Sequence, residues 1–156
     1  MKFKTFILIF VLLTLIIIAG CSSNNVNTVK NIDGEKITIF KSVSCGCCDI
    51  YSTYMKKQDG FNVEIITQQD ITGIKDKHGI PIEMISCHTS EVGNYFVEGH
   101  VPVEAINKLM IEKPDIKGIA MPGMPSGSPG MPGSKSGDFI IYQINMDGST
   151  SEFMRI

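Results

Sequence analysis

Three cysteines crowd into four positions, Cys45-Gly46-Cys47-Cys48, between an alternating apolar segment and a helical one. A disulfide framework spreads its cysteines to close loops, and this run does the opposite. Thiols packed this closely at a strand-to-helix turn leave two chemistries. As soft ligands they favour Cu(I) and Zn(II) over hard ions. As a redox pair, Cys45 and Cys48 make a Cys-x-x-Cys motif with Cys45 as nucleophile. A turn entering a helix N-terminus lowers thiol pKa values, which serves either chemistry. Cys47 separates them: it competes in thiol exchange, but in a metal site it is one more donor.

The apolar content is lopsided. Residues 1–20 hold 15 hydrophobic residues and two lysines, Lys2 and Lys4. A positive start, an apolar stretch from Phe6 to Ile18 and then small residues read as a secretory signal. Ile18-Ala19-Gly20-Cys21 resembles the lipobox of bacterial lipoproteins. That resemblance implies cleavage before Cys21 and acylation of its thiol, by palmitate among other chains. Several acyl chains hold a protein at a membrane where a single chain binds marginally. The expected layout is a signal peptide at 1–20, a lipidated flexible tether at 21–35 and one domain at 36–156. That domain is expected on the extracytoplasmic face of the cell membrane. Beyond residue 20 the chain carries 12 basic and 16 acidic side chains with no basic block, which excludes nucleic acid as a partner.

Lys36 to Val43 alternates as a strand, Asp49 to Gln58 has helical spacing, and Phe61 to Ile65 alternates again. Asp70 can cap a short helix ending near Gly79. Pro81 is expected to open a strand through about Ser86, paired with Asn94 to Glu98. Pro102 suits a first helical position, and Pro114 ends that helix. Phe139 to Ile144 and Thr150 to Ile156 flank Asp147-Gly148, a strong hairpin signal. The class is α/β: a β-α-β-α-β-β-α core with an added C-terminal β-hairpin, resembling the thioredoxin-like arrangement. That resemblance implies a cis Pro81 facing the cysteine motif. It also leaves Cys87 far along the same strand, roughly 20 Å away at about 3.3 Å per residue.

Further donors lie downstream. Cys87-His88 is one pair. His100, in Glu98-Gly99-His100-Val101-Pro102, is the best nitrogen ligand because the second hairpin strand returns toward the cysteine motif. His78 closes a Lys75-Asp76-Lys77-His78 run and reads as a solvated helix end. Gly118 to Gly137 contains six Gly, four Pro, four Ser and three Met in 20 residues. Half Gly or Pro excludes a helix or a central strand, so a loop is expected over 118–137. Its Met121, Met124 and Met131 can fold thioethers over an ion. Thioether is a ligand for Cu(I) and a poor one for Zn(II), which tilts the choice to copper, zinc being the other option.

Four runs now carry a family resemblance: Cys45-Gly46-Cys47-Cys48, Ser86-Cys87-His88-Thr89, Glu98 to Pro102, and Pro122-Gly123-Met124-Pro125 with Gly127-Ser128-Pro129-Gly130-Met131. They resemble the bacterial family called domain of unknown function 411, predicted metal-binding proteins linked to copper and other metal resistance. Where that family carries a Trp after the cysteine cluster, this chain has Tyr51 or Tyr54 and no Trp. The first expectation is a Cu(I)-binding lipoprotein, not an enzyme, that buffers or transfers copper in homeostasis or resistance. Its ligands would come from Cys45, Cys47, Cys48, Cys87, His88, His100, Met121, Met124 and Met131. Its partners would be the membrane, through Cys21, and a copper exporter or chaperone. The alternative is a thioredoxin-like thiol-disulfide oxidoreductase using Cys45 and Cys48, and a third reading is a structural zinc site.

Overall fold

A computed structural model describes Ile32 and residues 34–156. The expected signal peptide, Cys21 and nearly all of the tether lie outside the described residues. The elements run β1 (Glu35–Ser42), α1 (Gly46–Lys56), β2 (Phe61–Gln68), α2 (Thr72–His78), a 3₁₀ turn (Ile82–Met84), β3 (His88–Val92), β4 (Tyr95–Gly99), α3 (Val103–Glu112), β5 (Ile116–Met121), β6 (Ile140–Asn145) and β7 (Thr150–Arg155). All seven strands join one mixed sheet in the order β2-β1-β3-β4-β5-β6-β7. β1 is parallel to β2 and antiparallel to β3, β3 and β4 form a hairpin, and β5 lies parallel to β4. The α/β class, the β-α-β-α-β-β-α order and the C-terminal hairpin are all present, with β5 as an additional strand.

Alternation along the strands sends side chains to two cores. Ile37 and Ile39 of β1, Val97 of β4 and Ile119 of β5 pack with Tyr51 and Met55 of α1 and with Ala105, Ile106 and Leu109 of α3. On the other face Phe96, Ala120 and Ile144 meet Ile80 and Met84 from the segment after α2. Among the described residues no helix is long and apolar enough to cross a membrane.

Several expectations are corrected. Pro81 does not open a strand. It precedes the 3₁₀ turn, and all described peptide bonds are trans. The strand begins only at His88, so the 20 Å separation of Cys87 from the cysteine motif disappears. Helix α1 starts at Gly46, three residues before Asp49, and takes Cys47 and Cys48 into its first turn. Asp70 still satisfies a helix end: its carboxylate accepts from the Thr72 N–H at 2.8 Å and from the Thr72 hydroxyl at 2.6 Å. Pro102 sits just before the first helical residue of α3, not within it.

The largest correction is β5, a central strand inside the Gly/Pro-rich stretch. Gly118 explains it. A Cβ there would lie 2.3 Å from the Phe96 carbonyl oxygen and 2.7 Å from its ring. Glycine is required because the β4 backbone and the Phe96 ring come too close for any side chain. The loop proper therefore spans 122–139.

Candidate metal centre

The centre lies where β1 ends. The Cys45 N–H bonds back to the Ser42 carbonyl at 3.2 Å, which turns the chain into α1. Cys45 and Cys48, one helical turn apart, are joined by a disulfide. In this state their thiolates are not available to a metal. Cys47 is free, with its Sγ 3.5 Å from that of Cys45 and 3.9 Å from that of Cys87.

Cys87 arrives from the segment between the 3₁₀ turn and β3. A buried network holds that segment. The Glu98 carboxylate accepts from the Ser86 N–H, the Lys75 ammonium and the Thr89 hydroxyl, each at 2.6 Å. Burial lifts the Glu98 carboxyl above its usual range, while Lys75, Thr89 and Ser86 pull the other way. Lys75, expected in a solvated run, is thus buried. His78 of the same run pairs with Glu91 at 2.7 Å, away from the cysteines.

Cys87 is the hub. Its Sγ lies 3.0 Å from His100 Nε2 and 3.3 Å from His88 Nδ1. Both imidazoles are fully buried, and Tyr51 forms their wall with ring centroids 4.3 Å from His88 and 5.5 Å from His100. Tyr51 donates its hydroxyl hydrogen to the Val101 carbonyl, and the Val103 N–H donates to Tyr54, so α1 clamps the start of α3. Two overlapping groups have donor atoms within 4.8 Å of one another: Cys45, Cys47, Cys48 and Cys87, and Cys87, His88 and His100.

The protons can be assigned from this geometry. His100 Nδ1 faces the Pro129 carbonyl at 2.6 Å, which only accepts, so Nδ1 carries the hydrogen and Nε2 is bare. Burial holds His100 below the usual histidine range, the Pro129 bond opposing it, and so keeps the ring neutral. Burial, and next the neighbouring Cys47, push the Cys87 thiol up to about 12, so it stays protonated and donates to His100 Nε2. His88 Nδ1 then donates to the Cys87 sulfur. Its Nε2 is left buried without a hydrogen-bond partner. Burial first, then His100 and Lys75, hold His88 well below its ordinary value.

Two free thiols, the bare Nε2 of His100 and the Nδ1 of His88, which becomes a donor once its hydrogen moves to the unpartnered Nε2, form a soft sulfur–nitrogen donor set. It fits Cu(I) or Zn(II) and not a hard ion. The methionines are dispersed. Met121 ends β5 with its side chain in the main core. Met124 is exposed with φ +46°, and Met131 is half-buried, its N–H bonded to the Ser128 carbonyl. Sequence reasoning missed Tyr51 as a wall, the Glu98–Lys75 network and the Pro129 carbonyl. The Glu98-Gly99-His100 run was the one available signal for the second.

The buried neutral His88 makes a stability prediction. The unfolded histidine titrates near 6.5 and the folded one well below it, so at lower pH the unfolded state binds more protons. Stability is therefore present above 6.5 and lost as pH falls below it. Urea unfolding of the metal-free protein should show a loss of about 1.4 kcal/mol per pH unit from His88 in that window. His88→Gln should flatten that slope. An unchanged slope would show that His88 titrates in the fold as it does in the unfolded chain.

Fold and centre together define a mixed α/β protein with a thiol–imidazole cluster of the kind that holds soft metals. A family model described as "Protein of unknown function, DUF411" matches residues 84–131, the stretch containing Cys87, His88, His100 and the Gly/Pro loop as far as Met131. Two solved structures titled copper resistance protein copG are similar over most of the chain. Form 2 shares 34% identity at a TM-score of 0.73, covering 80% of this chain and 99% of that one. Form 1 shares 34% identity at a TM-score of 0.72, covering 80% and 98%. No curated protein matches. The chain belongs to the copper-linked DUF411 family.

Proposed function

We propose that this protein binds copper as Cu(I) and buffers or hands on the ion in copper resistance, outside the cytoplasm and tethered by lipid on Cys21. One observation carries the copper reading: Cys87 Sγ sits 3.0 Å from His100 Nε2, 3.3 Å from His88 Nδ1 and 3.9 Å from Cys47 Sγ. Soft donors from three separate elements meet at one sulfur. The copper resistance titles of the similar structures support the choice of metal. Cys47, Cys87, His88 and His100 are the donors we assign, with Cys45 and Cys48 joining when their disulfide is reduced. Uptake displaces the Cys87 thiol proton, so affinity rises with pH. The N-terminal segment, with its signal-like residues and Cys21, supports the tether by sequence alone.

A second reading, thiol-disulfide exchange, rests on the Cys45–Cys48 disulfide at the start of α1. Anaerobic titration of the full chain with Cu(I) and Zn(II) against a competing chelator separates the two. We expect tight Cu(I) binding that Cys47→Ser weakens about tenfold, or about 1.4 kcal/mol. Unchanged Cu(I) affinity in that variant, with retained reduction of a disulfide substrate, would put exchange first. Replacing Met121, Met124 and Met131 together with Leu tests the thioethers. A fall in Cu(I) affinity with Zn(II) unmoved assigns them to copper, and no change returns them to packing.

A further inference from the structure

The Gly/Pro loop reaches the centre through its backbone. The Pro129 carbonyl accepts from His100 Nδ1 at 2.6 Å. The next residue, Gly130, has φ +83°, and a Cβ on it would lie 2.7 Å from the Tyr51 nitrogen and 3.0 Å from the Cys47 carbonyl oxygen. Those atoms are backbone of α1 and cannot swing aside. The loop is also closed on itself. Gly127 N–H bonds to the Pro132 carbonyl at 3.0 Å, and Met131 N–H to the Ser128 carbonyl at 2.9 Å. The Ser128 hydroxyl, buried, donates to the Pro125 carbonyl at 2.7 Å.

We propose that residues 125–132 form a clasp that positions His100, with Gly130 seating the loop on the cysteine helix so that the Pro129 carbonyl fixes the Nδ1–H tautomer and presents bare Nε2 to Cys87. This rests on the reading of His100 as a metal ligand. The physical reason is general: a ligating imidazole is oriented by the hydrogen bond its other nitrogen makes. A backbone carbonyl is suited to the role because it has no proton to lose and no rotamer to leave. Pro129 adds a fixed φ, and Gly130 permits a closer approach to α1 than any side chain allows. In water the neutral histidine ring favours the Nε2–H form, which would put a hydrogen where the ligand lone pair must be. The clasp opposes that preference.

Gly130→Ala tests this, with Gly123→Ala as its control. Gly123 lies in the same loop at φ +80° but has open space around its Cβ position, so it carries the backbone strain without the contact. The first readout is the nitrogen-15 spectrum of the His100 ring in the metal-free full chain, which distinguishes the two tautomers. We expect pure Nδ1–H in the parent and in Gly123→Ala, and an Nε2–H population in Gly130→Ala. The second readout is Cu(I) affinity, expected to fall about 10- to 100-fold in Gly130→Ala and to hold in Gly123→Ala. A His100 that stays wholly Nδ1–H in folded Gly130→Ala overturns the proposal, as does an equal copper loss in both variants. Should Gly130→Ala not fold, Ser128→Ala loosens the clasp from within. A wholly Nδ1–H His100 there overturns the proposal in the same way. The expected tautomer shift in Gly130→Ala, together with a parent protein that binds no copper, would leave the clasp standing and sink the copper reading.

Discussion

Replacing Cys87 with serine should cost at least about 100-fold in Cu(I) affinity, or roughly 2.7 kcal/mol, the largest loss of any single donor. Cys87 alone belongs to both donor groups. Removing Cys47 leaves the Cys87–His88–His100 group, and removing His100 leaves the thiols, but with the Cys45–Cys48 disulfide intact no group survives without Cys87. Serine fits the space with a hard oxygen in place of a soft sulfur, so the variant separates ligation from packing. Its hydroxyl can still donate to His100 Nε2, and the fold should lose no more than about 1 kcal/mol. Chelator competition measures the first quantity and urea unfolding the second. Parent-like affinity in a folded Cys87→Ser protein would move the centre to the Cys45–Cys48 end of α1. A large stability loss would make Cys87 a packing residue first.

Local chemistry made much of this legible, and tertiary contact hid the rest. Ile37 and Ile39, the stripe of α1 and Asp147-Gly148 are short-range signals, and the strand, helix and hairpin they imply are present. Gly79, at φ +58°, ends α2 as its position implied. Gly118 misled because composition counts it as a breaker, whereas its role is to let Phe96 lie against the β5 backbone. Pro81 misled because an X-Pro segment reads as extended, and the next three residues coil into a 3₁₀ turn. That turn swings Cys87 back to Cys47, a contact across 40 residues that no local pattern carries. Lys75 looked solvated because its partner Glu98 lies 23 residues away. The Pro129 carbonyl is a backbone atom, and the sequence marks it only by the glycine beside it.

Glu98→Ala should destabilise the domain by about 3–5 kcal/mol, a large share of the 5–15 kcal/mol typical of a folded domain. The carboxylate is fully buried and accepts three hydrogen bonds. Truncating it removes the acceptor of the Ser86 N–H and of the Thr89 hydroxyl, and leaves the buried Lys75 ammonium with the Thr89 oxygen at 3.0 Å and no counter-charge. An uncompensated buried charge costs far more than the pair itself contributes. The double variant Lys75→Met with Glu98→Leu makes the point sharper. It removes both charges and fills the space with apolar atoms, so it should recover most of the lost stability. It cannot restore the bond to the Ser86 N–H, which anchors the chain one residue before Cys87. The double variant should therefore fold well and still bind Cu(I) more weakly than the parent, about tenfold by the same outer-shell argument. Urea unfolding and chelator competition on the same samples read the two effects. A loss under about 1 kcal/mol in Glu98→Ala would mean that water reaches the pair and that it carries little of the fold. Parent-like copper affinity in the stable double variant would free the Cys87 segment from its dependence on Glu98, leaving the carboxylate with a role in stability alone.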